Sequence, residues 1–180
     1  KQRTKTDFSD EEVRHLIRFA RATVASTVTN DPQIIELDKQ LAETPAYGVF
    51  VTLQRGTVLR ACRGHWGDAA ASSLGALLHS ASVSTAAADQ RFPSVVPEEL
   101  PLLTLEISIM YGPRLVHAKG EDRLQAIQIG VHGLVISHPQ GRGLLLPHVA
   151  TENNWDVRTF LERLCAKAGL PSDTWLSDQA

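Results

Sequence analysis

Cysteine is scarce: Cys62 and Cys165 are the only two in 180 residues. Their spacing fits neither a disulfide framework nor a zinc knuckle, so both are expected to be free thiols. No unbroken apolar run approaches the roughly 20 residues needed to cross a bilayer. The opening stretch KQRTKTDFSDEE carries no apolar signal region, so no membrane association is expected. Neither sign of charge dominates, since 18 Lys and Arg face 20 Asp and Glu for a net charge of −2. That balance supplies no whole-chain basic field of the kind that draws proteins to nucleic acid or anionic lipid. The G-x-S-x-G elbow and the phosphate-loop lysine motif are also missing, which argues against serine and nucleotide hydrolases. GRGLLL at 141–146 lacks the third glycine and the strand-then-helix setting of a dinucleotide fold, and reads as a turn. The chain opens on Lys1 without an initiator methionine, which suggests a trimmed start, and a soluble cytoplasmic protein is the expectation.

What the sequence does contain is enough apolar material for one full core: 43% of residues are hydrophobic and 21% charged. No internal repeat is evident. Ser9 and Glu12 form a capping box ahead of Val13, Leu16, Ile17, Ala20, Val24 and Val28, whose spacing predicts a helix over 10–29. A short helix is expected before Pro45. Two β-rich runs, 47–53 and 57–63, flank Arg55 and Gly56 as in a hairpin. Regular alternation would set Arg60, Cys62 and Gly64 on one face, and Leu59, Ala61 and Arg63 on the other.

The small-residue run 68–88 carries Leu74, Leu77, Leu78 and Ala81 at helical spacing, which predicts a helix packed closely on a sheet. Its N-terminus is expected near Cys62, where a partial positive charge would favour thiolate. A proline-punctuated loop, DQRFPSVVPEELPLL, leads into the strand TLEISIM, with Glu106 and Ser108 opposite Leu105, Ile107 and Ile109. Two more strands surround HPQGRG. A last helix, capped by Asn153 or Asn154, buries Val157, Phe160, Leu161, Leu164, Cys165 and Ala168 before Gly169 and Pro171 end it. Cys165 reads as plain core.

The stretch LRACRGHWG, 59–67, reads least like scaffolding, because a cysteine between two arginines with a histidine nearby suits a reactive or ligand-holding thiol. RACRG is one residue from the caspase signature and His15 lies roughly 50 positions upstream, but His15 sits inside the first helix, where it cannot serve as base. Cys62 and His65 have C-x-x-H spacing, yet a zinc site needs further ligands and His117, His132, His138 and His148 are scattered singly. Neither a metal nor a cofactor is expected. What remains is a candidate set: Cys62, Glu106 and His132 as catalytic groups, with Arg60, His65, Asp89, Arg91 and His148 as substrate-binding groups. Converging in one cleft, they would bind an anionic or carbonyl-containing small molecule and supply a nucleophile and proton-transfer groups.

The ordered motifs GVFVTL, LRACRG, DQRFPSVVPEEL, LEISIM, GVHGLVI, LLLPHVA and WDVRTFLERLCAKAGLP together resemble the AMMECR domain family, from about Tyr47 to Trp175. The resemblance implies an α+β fold in one domain spanning 1–180: antiparallel sheet flanked by helices, with a large and a smaller lobe meeting at a cleft. Arg60, Cys62 and Gly64 match the family's L-R-G-C-I-G motif. Asp89, Arg91 and Phe92 match D-x-R-F, Glu106 and Ser108 its E-x-S strand, Gly133 its glycine, and Trp155 and Lys167 its terminal helix. Ala61, Arg63 and His148 depart from the family's usual Gly, Ile and Gln, and Arg63 is expected to seek an acidic partner such as Asp68. The resemblance also implies association with Memo-like and radical SAM proteins in a modification pathway. The expected activity is an enzyme, or enzyme component, using Cys62; the alternative is a non-catalytic binding or adaptor domain.

Overall fold

The computed structural model describes residues 8–32, 35–67, 72–111 and 113–177. The chain divides into two compact units, Lys1–Pro113 and Arg114–Ala180. Antiparallel sheets with helices make the fold α+β. Among the described residues no helix is long and apolar enough to cross a membrane.

The first unit opens with α1, Asp10–Thr29, whose Ser9 and Glu12 close the expected capping box. The short α2, Lys39–Ala42, is capped by Asp38. Strands β1 (Gly48–Arg55) and β2 (Val58–Trp66) form the hairpin around Gly56, whose φ of 62° puts the turn in the left-handed region where glycine is free of Cβ strain. Helix α3, Leu74–Ala87, follows, and β3, Leu103–Met110, completes a sheet ordered β2-β1-β3. The loop expected before β3 contains a 3-10 turn, Pro97–Leu102. Val49 and Val51 of β1 pack with Leu16 and Ala20 of α1 and with Leu74, Leu78 and Ala81 of α3. Small residues on α3 permit a close approach, and buried Thr85 uses it: its hydroxyl accepts from Arg63 N–H and donates to Val51 C=O, 3.0 Å each.

The pairing of β1 with β2 corrects one expectation. Leu53 pairs with Ala61, but Gln54 pairs with Leu59, so Arg60 is an extra residue in a β-bulge. Past the bulge the alternation slips, and Leu59 falls on the face of Cys62 rather than opposite it. A second correction concerns α3. Its C-terminal end, not its N-terminus, lies beside this part of β2, through Thr85 on Arg63 and Ser84 on His65. The helix dipole therefore offers no positive end to the thiol.

The second unit is built on the hairpin β4 (Leu134–His138) and β5 (Gly141–Leu145), followed by α4 (Pro147–Glu152) and α5 (Val157–Lys167). The N-cap of α5 is Asp156, which accepts from Thr159 N–H at 2.8 Å; Asn153 instead closes α4, and Asn154 adopts a left-handed φ of 52°. Phe160, Leu161, Leu164 and Cys165 of α5 pack on Leu134, Ile136, Leu145 and Trp175. Gly141 in this hairpin has a steric reason to lack a side chain: a Cβ there would lie 2.0 Å from Ala168 C=O. Buried Arg123 donates to the carbonyls of Ala118, Trp175 and Ser177 and so ties down the end of the described chain.

Candidate functional site

The register of the three-stranded sheet decides which side chains share a surface. Val49, Val51 and Leu53 face the helices, so the alternate residues of β1 face the other way, together with their partners on both neighbouring strands. Across that open face run lateral rows: Gly64, Phe50 and Ser108, then Cys62, Thr52 and Glu106, then Leu59, Gln54 and Thr104. Phe50 lies over Gly64, where an added Cβ would come within 2.4 Å of its ring.

Cys62 is half-buried, and Thr52 Oγ1 donates to its sulfur at 3.2 Å. Glu106 is exposed, in register with Thr52, with Ser108 Oγ donating to it at a long 3.5 Å. Cys62 and Glu106 thus flank Thr52, with their α-carbons about 10 Å apart, two interstrand spacings.

Strand β2 is a sheet edge, and unpaired backbone groups at an edge need other partners. At Cys62 an ion pair supplies them. Asp89 Oδ2 accepts the Cys62 N–H at 2.8 Å, and Arg91 Nη2 donates to the Cys62 C=O at 2.9 Å. Arg91 Nε and Nη2 also grip both oxygens of Asp89, at 3.0 and 2.8 Å. The two side chains act together as one residue of a neighbouring strand. Because both backbone groups of Cys62 point away from β1, Cys62 and Thr52 form the closer, non-hydrogen-bonded type of cross-strand pair. Hydrogen bonds from the Arg91 guanidinium, and then from the Cys62 and Arg91 N–H groups, hold the Asp89 carboxyl far below the usual carboxylate range against the cost of its burial. The Arg91 side chain is 58% exposed while that of Asp89 is 3% exposed, so only the arginine presents itself to solvent. Asp89 raises the pKa of Arg91 in return, chiefly through their hydrogen bond, with a lesser coulombic contribution from Cys62.

Arg60 does something different from the anion contact expected of it. Its Nε and Nη2 take both oxygens of Glu99, at 2.7 and 2.8 Å, while Nη1 and Nη2 donate to the carbonyls of Pro93 and Ser94. Every nitrogen of the guanidinium is engaged and the side chain is 15% exposed, so Arg60 fastens the Pro93–Glu99 segment and has no open fork for a ligand. The same pair, with a bond from Val96 N–H, lowers Glu99 to about 2.

His65 is three residues from Cys62 and in register with Val49, which places it on the opposite face of β2, with Nε2 3.2 Å from Ser84 Oγ. It shares no site with the thiol, and the C-x-x-H zinc spacing fails on the same geometry. Among the described residues no three His, Cys, Asp or Glu side chains gather as a metal site. His132 and His148 belong to the second unit, both exposed; His132 Nδ1 accepts from Gln128 N–H at 3.1 Å, and His148 lies in the first turn of α4. Asp68, the expected partner of Arg63, lies outside the described residues. Cys165 is fully buried, and desolvation pushes its thiol up.

Of the six candidates in the first unit, Cys62, Asp89 and Arg91 lie together at the β2 edge, Glu106 lies across the same face, Arg60 is a fastener, and His65 looks the other way. Two residues that the sequence did not single out, Thr52 and Glu99, are the direct partners of Cys62 and Arg60.

A protein-family model described as AMMECR1 matches residues 17–180. A protein of Methanosarcina barkeri is 37% identical over 175 residues, covering 93% of this chain and 84% of that one. One of Thermococcus kodakarensis is 40% identical over 177 residues, with 93% and 83% covered. The crystal structure of an uncharacterized protein from Pyrococcus horikoshii is similar at a TM-score of 0.84 and 35% identity, over 96% of this chain and 87% of that one.

Proposed function

Since this chain belongs to the AMMECR1 family, we propose that it is a cytoplasmic enzyme, or enzyme component, whose open sheet face binds a small carbonyl-containing or anionic molecule beside Cys62. The observation that carries the reading is the row Cys62, Thr52, Glu106, in which a half-exposed thiol and a carboxylate flank a hydroxyl across three strands. A small molecule lying over Thr52 would touch all three. In the proposed step the Cys62 sulfur adds to a carbonyl carbon and the carbon–sulfur bond forms. The carbonyl electron pair moves to oxygen, and the thiol proton is taken by Glu106. Arg91, the exposed half of the edge pair, serves as the anion contact through Nη1, which holds neither Asp89 nor the Cys62 carbonyl. Memo-like and radical SAM proteins are the proposed partners in a shared modification pathway.

A thermal-shift screen of small carbonyl and carboxylate compounds tests the reading on wild type, Cys62→Ser and Glu106→Gln. A ligand at about 100 times its Kd stabilises by roughly 2.7 kcal/mol, and the gain should be lost or strongly reduced in Cys62→Ser. Ligands that stabilise all three proteins equally favour the second reading, a non-catalytic binding domain. That alternative has one observation behind it: His65, the histidine nearest Cys62 in sequence, faces away from it.

A further inference from the structure

We infer that Thr52 is the positioning residue that sets the reactivity of Cys62, an inference that rests on the reading of Cys62 as the reacting group. Thr52 sits on the central strand, paired on both sides, so its backbone is held by both neighbouring strands. The edge pair of Asp89 and Arg91 holds the Cys62 backbone from outside the sheet, and the Thr52 hydroxyl meets the sulfur from inside at 3.2 Å. The sulfur is therefore fixed between two independent anchors. Because Thr52 donates, the bond strengthens as negative charge builds on sulfur, which is the form that attacks.

The bond has two opposing effects on rate. It raises the share of charged sulfur, and it makes each charged sulfur a weaker nucleophile. Removing it should slow alkylation at neutral pH and speed it once the sulfur is ionised in both proteins. The titratable and charged groups around the sulfur are Glu106, from β3 on the same face, and Asp89 and Arg91, from the loop after α3. Arg63 and His65 of β2 itself are in register with the opposite face. None of these groups is changed by substituting Thr52.

The test is the rate of iodoacetamide modification of native protein from pH 6 to 10, for wild type, Thr52→Val and Thr52→Ser, with buried Cys165 as internal control. Valine keeps the β-branched shape and removes the donor; serine keeps the donor. The expected result is a rate about threefold lower near pH 7 and about threefold higher at the alkaline limit for Thr52→Val, with Thr52→Ser restoring the wild-type profile. A profile unchanged in Thr52→Val, or displaced equally at every pH as a change of access would displace it, overturns the inference while the reading of Cys62 stands. Failure of wild-type Cys62 to react at any pH overturns both.

Discussion

Replacing Arg60 by alanine separates a fastening role from a ligand-binding one. The guanidinium makes a two-pronged pair with Glu99, with side chains 15% and 18% exposed, and bonds two further carbonyls. Exposed ion pairs contribute about 0–1 kcal/mol, and breaking a fully buried one costs about 3–5. A mostly covered pair at the unit's surface falls between, so Arg60→Ala should cost about 2 kcal/mol. At roughly 2–4 °C per kcal/mol for a chain of this size, Tm should fall by about 4–8 °C.

The loss should also depend on pH, with a definite sign. Glu99 is held at about 2 in the folded protein against 4.5 when unperturbed. Its contribution is therefore fully present above 4.5 and is lost as pH falls from there through about 2, because the unfolded chain takes up the proton first. Urea unfolding of wild type and Arg60→Ala at pH 7, 5 and 3 measures this directly, and the difference between the two should shrink by about half by pH 3. A cost below about 0.5 kcal/mol, or a difference that is the same at pH 3 as at pH 7, would refute the fastening role.

Gly64→Ala should destabilise by about 2 kcal/mol in urea unfolding, since its Cβ would press on the Phe50 ring at 2.4 Å and on the Val49 carbonyl at 2.5 Å. Thr85→Val removes the hydroxyl that bridges Val51 and Arg63 and should cost about 1–2 kcal/mol by the same measurement. Cys62→Ser should change stability by no more than about 0.5 kcal/mol in urea unfolding, whereas Cys165→Ser buries a hydroxyl in the apolar core and should cost about 1–2 kcal/mol.

Periodicity made α1, the β1–β2 hairpin and the apolar face of α5 legible, because each buries one regular stripe against a core. The cap of α5 is not legible in the sequence because Asn153, Asn154 and Asp156 are all competent caps, and only the end of α4 reveals which of them starts the next helix. At the site, the residue types were readable but their pairings were not. A turn in which Arg55 pairs with Val58 would place Thr52 opposite Ala61; the bulge at Arg60 moves it by one, opposite Cys62. Nothing in the local residue pattern announces that bulge. Glu99 escaped notice because it sits in a proline-rich segment 39 residues from Arg60, with no period to mark it. Arg60, Asp89 and Arg91 looked like ligand contacts because arginines beside a cysteine suit anions. Their first task is local: an open sheet edge at Cys62 and the Pro93–Glu99 segment leave backbone groups to satisfy, and charged side chains satisfy them.

The most direct measurement of the central claim is protection of Cys62 from alkylation, followed by peptide mass spectrometry on native protein, with and without the compounds that raise Tm. Cys62 should be modified and Cys165 should not, and the rate at Cys62 should fall as those compounds occupy the open face. Compounds that bind and stabilise while leaving the Cys62 rate untouched would contradict it.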